Sequence, residues 1–229
     1  MRKEPEVLSA AQREQFNRRH EFLSEFERVR YYTLSSEEIA LIQKRRGNYN
    51  RLGFAIQLCY LRYPGRALQP QEAVPDALLS YVAGQLNLEA TVFEQYAQRD
   101  TTRREHLSEI QEIYGYQTFS QAHYQDLKTW LQPLALGTDK AIVLVNEVLA
   151  ELQRRKVIAP ALSTVERLVW ETRRQTEQHL FGQLTQTLSA TQKQQLDELI
   201  TTQDGQPSQL TWLKQAPLRP SPKSFTRTG

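Results

Sequence analysis

Cysteine is nearly absent from this sequence. Cys59 stands alone among 229 residues, so no internal disulfide framework can form and a reducing compartment is expected. Glycine is sparse, at nine residues, and apolar/polar alternation of the Val-Ile-Thr kind is missing, which argues against a strand-built fold. Long apolar runs are missing too. The longest, Ala141 to Val145, falls far short of the roughly 20 residues that span a bilayer, so no membrane partner is expected. No apolar stretch follows Met1-Arg2-Lys3-Glu4-Pro5, so no secretory signal is read and a soluble, cytoplasmic protein is expected.

The marks of common catalytic chemistries are missing as well. The sequence has no GxGxxG, no GxxxxGK(S/T), no GxSxG and no HExxH. His20, His106, His123 and His179 fall in separate expected helices, none one turn from another His or Cys, so no metal-ligand pair is visible. Cys59 lies on an apolar helix face and reads as a small core hydrophobe. Acidic residues gather at helix starts and on exposed faces, where the helix dipole accounts for them. No catalytic residue, metal or cofactor is expected.

What is present favours helix. Leu, Ala, Gln, Glu and Arg dominate. Capping boxes read at Ser9-x-x-Gln12, Ser35-x-x-Glu38, Ser163-x-x-Glu166 and Ser189-x-x-Gln192, where the serine oxygen accepts an orphan N–H and the later side chain reaches back. Leu34 and Ile39 suit a hydrophobic staple around Ser35. Gly47, Gly115 and Gly137 read as helix stops, and Pro64, Pro133 and Pro160 close others. These signals place helices near 10–19, 20–31, 36–46, 51–63, 75–86, 89–98, 101–114, 120–132, 139–156, 164–187 and 190–201. The expected fold is all-α, with tandem small helix-turn-helix-like units followed by long packing helices. The units are read as 1–68, 69–136, a helical connector 137–202, and a Pro/Gln/Ser-rich linker 203–229. Helix 139–156, apolar on several sides, reads as a central packing helix.

The net charge of +3 conceals an asymmetry. Residues 1–66 hold 13 Lys/Arg against 8 Asp/Glu, residues 67–150 hold 5 against 11, and residues 151–229 hold 11 against 7. A polyanion is therefore drawn first to the N-terminal segment. Within it, Lys44-Arg45-Arg46-Gly47-Asn48-Tyr49-Asn50-Arg51 places cations at a helix end, a glycine turn, and polar residues at the next helix start. A helix-turn-helix presents this pattern to DNA, with cations on phosphates and Asn or Arg on base edges. Cations complementing a helix dipole, followed by an ordinary Asn-rich turn, would give the same residues. The following helix carries Leu52, Phe54, Ile56, Leu58 and Leu61 in most directions, so contact is expected only at its ends: Asn48 to Arg51, and Arg62 with Arg66. A second helix–glycine–helix segment runs from Thr101 through Gly115 to Leu131. There Arg103 and Arg104 are the expected phosphate contacts, and Ser120 caps a helix offering Gln121, His123, Tyr124 and Lys128. A plain scaffold role fits this second segment equally well.

At these residues the sequence resembles the N-terminal region of the Tn-three family of replicative transposases. The resemblance is carried by Gln57-Leu-Cys-Tyr-Leu-Arg-Tyr-Pro-Gly-Arg66, Tyr81-Val-Ala-Gly-Gln-Leu86, and Tyr96 with Thr102-Arg-Arg-Glu-His106, Ile110 and Gly115-Tyr116. Val157-Ile158-Ala159-Pro160, Val165-Glu-Arg-Leu-Val169, Leu188-Ser189 and Gln195-Leu-Asp-Glu-Leu199 continue it. It implies recognition of transposon terminal inverted repeats in double-stranded DNA by two helical units. It also implies that cleavage belongs to a DDE-type, magnesium-dependent domain C-terminal to these residues, so the chain itself is not expected to be an enzyme. Full-length transposase, or its catalytic domain, is then a further expected partner. The alternative is a non-catalytic helical protein-interaction or scaffold fragment, or a truncated relic.

Overall fold

Five serines set where helices begin. Ser9, Ser24, Ser35, Ser120 and Ser189 each accept the backbone N–H three residues on, and the side chain there accepts the serine's own N–H. In this computed structural model, which describes residues 7–18, 23–97, 100–202 and 208–214, they open α1 (Ala10–Asn17), α2 (Glu25–Tyr32), α3 (Ser36–Gln43), α8 (Gln121–Gly137) and α11 (Ala190–Ile200). The remaining helices are α4 (Asn48–Arg62), α5 (Asp76–Gln85), α6 (Phe93–Ala97), α7 (Asp100–Tyr114), α9 (Ala141–Arg154), α10 (Leu162–Thr187) and α12 (Gln209–Leu213). The fold is all-α, with one two-residue parallel pair among the described residues, β1 (Gln117–Thr118) beside β2 (Val157–Ile158).

Several boundaries differ from the sequence reading, each for a local reason. Ser163 does not cap α10 but lies inside its first turn. Pro133 does not end α8, which continues to Gly137. Proline removes one helical N–H and crowds the preceding turn, yet Pro133 and Thr129 both sit on the exposed side, where the freed carbonyl can meet water. Gly47 serves as the N-cap of α4 with φ +84°, so Asn48, Tyr49 and Asn50 belong to the helix and not to the turn. Gly137 is the last residue of α8 and not a stop beyond it. One short helix, α12, occupies part of the stretch read as a linker. The first residues of the expected helix 20–31 lie outside the described residues.

The chain divides into two units, Met1–Thr176 and Glu177–Gly229, with the division falling within α10. The first unit holds two apolar cores. One gathers Tyr32, Leu34 and Ile42 with Val82, Phe93, Tyr96 and Ile110 around α4, whose residues from Leu52 to Leu61 are all buried. Gly53 makes this possible at one point: a Cβ there would lie 2.3 Å from the Tyr96 ring. Gln57 Nε2 donates to Tyr96 Oη and to the Arg103 carbonyl, and Tyr96 Oη lies 3.2 Å from His106 Nδ1, so the ring is pinned on its polar side too. The other core joins Tyr124, Leu127 and Leu131 of α8, Leu144, Val145, Val148 and Leu152 of α9, and Val165, Leu168 and Val169 of α10, with Leu8 added. α9 is thus a central packing helix.

A strap crosses between these cores. Val157 pairs with Gln117, Ile158 packs against the first core, the Ala159 N–H donates to the Gly65 carbonyl at 2.9 Å, and Gln153 Nε2 donates to the Arg62 carbonyl. α7 packs in the first core and α8 in the second, so the segment between them, Gly115 to Ser120, is held where the cores meet. In the second unit α11 packs on α12.

Candidate nucleic-acid interface

The turn from α3 into α4 carries four Lys/Arg in the eight residues from Lys44 to Arg51. α4 is N-capped by Gly47, which makes no side-chain cap bond to its first turn. An uncapped helix start leaves donors and the positive dipole end open to an anion. Lys44 and Arg46 beside it are exposed, and among the described residues neither side chain has an ion-pair or hydrogen-bond partner. Arg51 folds back, with Nε donating to the Arg45 carbonyl at 3.1 Å and Nη1 to Asn48 Oδ1 at 3.4 Å. Asn50 Nδ2 donates to the Arg46 carbonyl at 2.8 Å. Asn48 is exposed, and Tyr49 is half-buried against the first core.

The other cations singled out from sequence are mostly held by carboxylates. Arg45 makes a two-pronged bond to Glu109 of α7, at 2.6 and 2.5 Å, and stacks 4.4 Å from the Phe54 ring centroid. Arg62 bonds Glu38 and the Thr33 carbonyl, and Arg66 bonds both oxygens of Glu72. Arg103 bonds Asp100 and the Leu68 carbonyl, and Lys128 bonds Glu171 at 2.9 Å. These partly buried groups brace the cores. Arg104 also faces Asp100, at 2.7 Å, but its side chain is 79% exposed, and an ion pair so open to water is weak.

The second turn gathers a different set. Gly115, at φ +72°, ends α7, and Ser120 opens α8. His123 is occupied by Ser120 on Nδ1 and Gln117 Oε1 on Nε2. Lys156 comes beside this turn because the Gln117 N–H donates to its carbonyl at 2.8 Å and its Nζ donates to the Tyr114 carbonyl at 3.0 Å. It is exposed and adopts φ +55°. Sequence reading missed Lys156 because only the β1–β2 pairing brings it to the start of α8. Gln121, Ala122, Gln125, Thr129 and Gln132 all lie on the exposed side of α8.

The buried titratable groups serve the fold. Burial, aided by the charge of Arg45, pushes His106 down to about 4, so it is neutral near pH 7. Burial pushes the Cys59 thiol up to about 12, which fits the core hydrophobe expected of it. Among the described residues no group of three or more His, Cys, Asp or Glu is placed to hold a metal, and no helix is long and apolar enough to cross a membrane.

Fold and surface together define an all-α protein built on two helix–glycine turn–helix segments, one with an open basic turn and one with an amide-rich helix. Residues 7–172 match the family described as "Domain of unknown function (DUF4158)", and the chain belongs to that family. It is 39% identical over 216 residues to the transposase for transposon Tn3926 of Escherichia coli, covering 94% of this chain and 22% of that protein. It is 38% identical over 200 residues to the transposase for transposon Tn1546 of Enterococcus faecium, covering 86% and 20%. Against the transposase for transposon gamma-delta of Escherichia coli (strain K12) it is 35% identical over 201 residues, covering 86% and 20%. The resemblance to Tn3-family transposases thus extends over most of this chain, which spans about a fifth of the length of these relatives.

Proposed function

We propose that this chain binds double-stranded DNA as the end-recognition part of a transposase, with the terminal inverted repeats of a transposon as its target. The observation that carries the reading is the open start of α4. Its N-cap, Gly47, supplies no side-chain cap bond, and Lys44 and Arg46 stand beside it exposed and, among the described residues, without a carboxylate partner. A phosphate seated there receives backbone N–H groups and two cations at once. Lys156 flanks the second turn as a further phosphate contact and Arg104 offers another at the start of α7, while Arg45, Arg62, Arg66, Arg103 and Lys128 hold the scaffold. The relatives named above are transposases, which supports a transposon end as the target. No strand cleavage is assigned to these residues.

The test is the salt dependence of binding to a duplex. Lys44→Ala with Arg46→Ala lowers the slope of log K against log salt by up to about two units, because two released counterions are lost. An unchanged slope means that the turn does not touch phosphate. A second reading, a protein-interaction fragment, is favoured by one observation: Leu180, Phe181 and Leu184 of α10 are 40%, 61% and 53% exposed. Concentration-dependent self-association without DNA affinity would support that reading instead.

A further inference from the structure

Of the two helices that follow the glycine turns, only one has a side free to enter a groove. α4 is buried from Leu52 to Leu61, so beyond its first turn it offers nothing to a ligand. α8 buries only Tyr124, Leu127 and Leu131, which project together at helical spacing. Its opposite side, over the three turns from Gln121 to Gln132, presents Gln121, Ala122, Gln125, Thr129 and Gln132, all exposed. No Lys or Arg lies on that side. Its one charge, Asp126, is paired with Arg155. Lys128, on the same helix, is turned away to Glu171 and only 12% exposed.

We infer that α8 is the base-reading helix, and that its amides recognise A·T pairs through the major groove. This rests on the DNA-binding reading above and assigns within it a division of labour: the α3–α4 turn grips phosphate, and α8 reads sequence. The chemistry selects this ligand. A glutamine amide offers one donor and one acceptor in the spacing of adenine N7 and N6, and an alanine methyl matches the thymine methyl. A helix fits the major groove, and Arg or Lys on the inserted side would favour guanine instead. Gln121 and Gln125 stand one turn, about 6 Å, apart, which corresponds to base pairs about two apart along a strand. A protein partner is the poorer fit, because the centre of a protein interface favours aromatic and large apolar anchors, and these three turns present three amides, a threonine, an alanine and an aspartate.

The test is selection of duplexes from a random-sequence library at about 0.15 M salt by the full chain, followed by sequencing. The wild type enriches a motif with adenine at two positions about two base pairs apart. Gln125→Glu moves one of these preferences to cytosine, because a carboxylate can only accept and cytosine N4 donates. Gln121→Ala with Gln125→Ala flattens both, by about tenfold or more in relative affinity for the original motif. All these side chains are exposed, and a thermal melt checks that the variants fold as the wild type does. If the variants enrich the wild-type motif unchanged, α8 does not read bases and its face is left for a protein partner, while the DNA-binding reading stands. If the wild type enriches no motif at all, sequence reading by this chain is overturned altogether.

Discussion

Arg45 turns inward to Glu109 and the Phe54 ring, while Arg46, its neighbour, is exposed. Substituting Arg45 with alanine removes two charge-assisted bonds and leaves Glu109 unpaired, so about 2 kcal/mol of stability should be lost. Urea denaturation measures this; the same experiment on Arg46→Ala should show a change within about 0.5 kcal/mol. Gly53 is a stricter position. A Cβ would enter the Tyr96 ring, and that ring is held by Gln57 and stacked on His106. Gly53→Ala should therefore cost about 1–3 kcal/mol, read as a lower denaturation midpoint, and a midpoint equal to wild type would show that the ring gives way.

His106 adds a pH dependence. Its pKa falls from an ordinary value near 6.5 to about 4 on folding, so the unfolded chain binds the proton first. Stability is fully present above about pH 6.5 and is lost as pH falls towards 4. Denaturation midpoints across that window should decline, and His106→Gln should remove this group's share of the decline. At this scale little was legible in the sequence. Lys44 to Arg51 was visible as a basic turn, but its partners were not. Glu109 lies 64 residues from Arg45, and Glu38 lies 24 from Arg62. A cation taken by a distant carboxylate looks, in sequence, like a free one.

Helices were the most legible elements, because their signals are local. Ser9, Ser35 and Ser189 cap as the box pattern indicates, and α4 was readable as a helix too apolar to lie along a groove. The Ser163 pattern is formally similar, yet α10 begins one residue before it. Ser120 bonds the His123 N–H at the start of α8, so Ser120→Ala should lose about 1 kcal/mol of stability, measured by thermal or urea unfolding. An unaltered midpoint would mean that the β1–β2 strap alone fixes this helix start. That strap was illegible: two residues per strand carry no alternation to detect, and it is the strap that brings Lys156 to α8.

The whole molecule explains why segment charge is a poor guide to the interface. The N-terminal third has the largest cationic excess, yet several of its arginines are spent on Glu38, Glu72 and Glu109, two of which lie in the acidic middle segment. Charge asymmetry in the sequence is partly cancelled by folding. At the start of α4, Lys44 and Arg46 stay exposed beside the Gly47 cap, and α8 presents an amide-rich face within the same unit. The all-α class and the family were both within reach of the sequence. The two cores were not, since each gathers helices by contacts that no local pattern encodes.

The central claim is recognition of transposon ends. Fluorescence anisotropy at about 0.15 M salt, where screening suppresses weak surface attraction, compares the terminal inverted repeat of the element carrying the gene with a scrambled duplex. Preference for the repeat by several kcal/mol, in the range of specific binders, is the result expected. Equal, weak and salt-sensitive binding to both would contradict it.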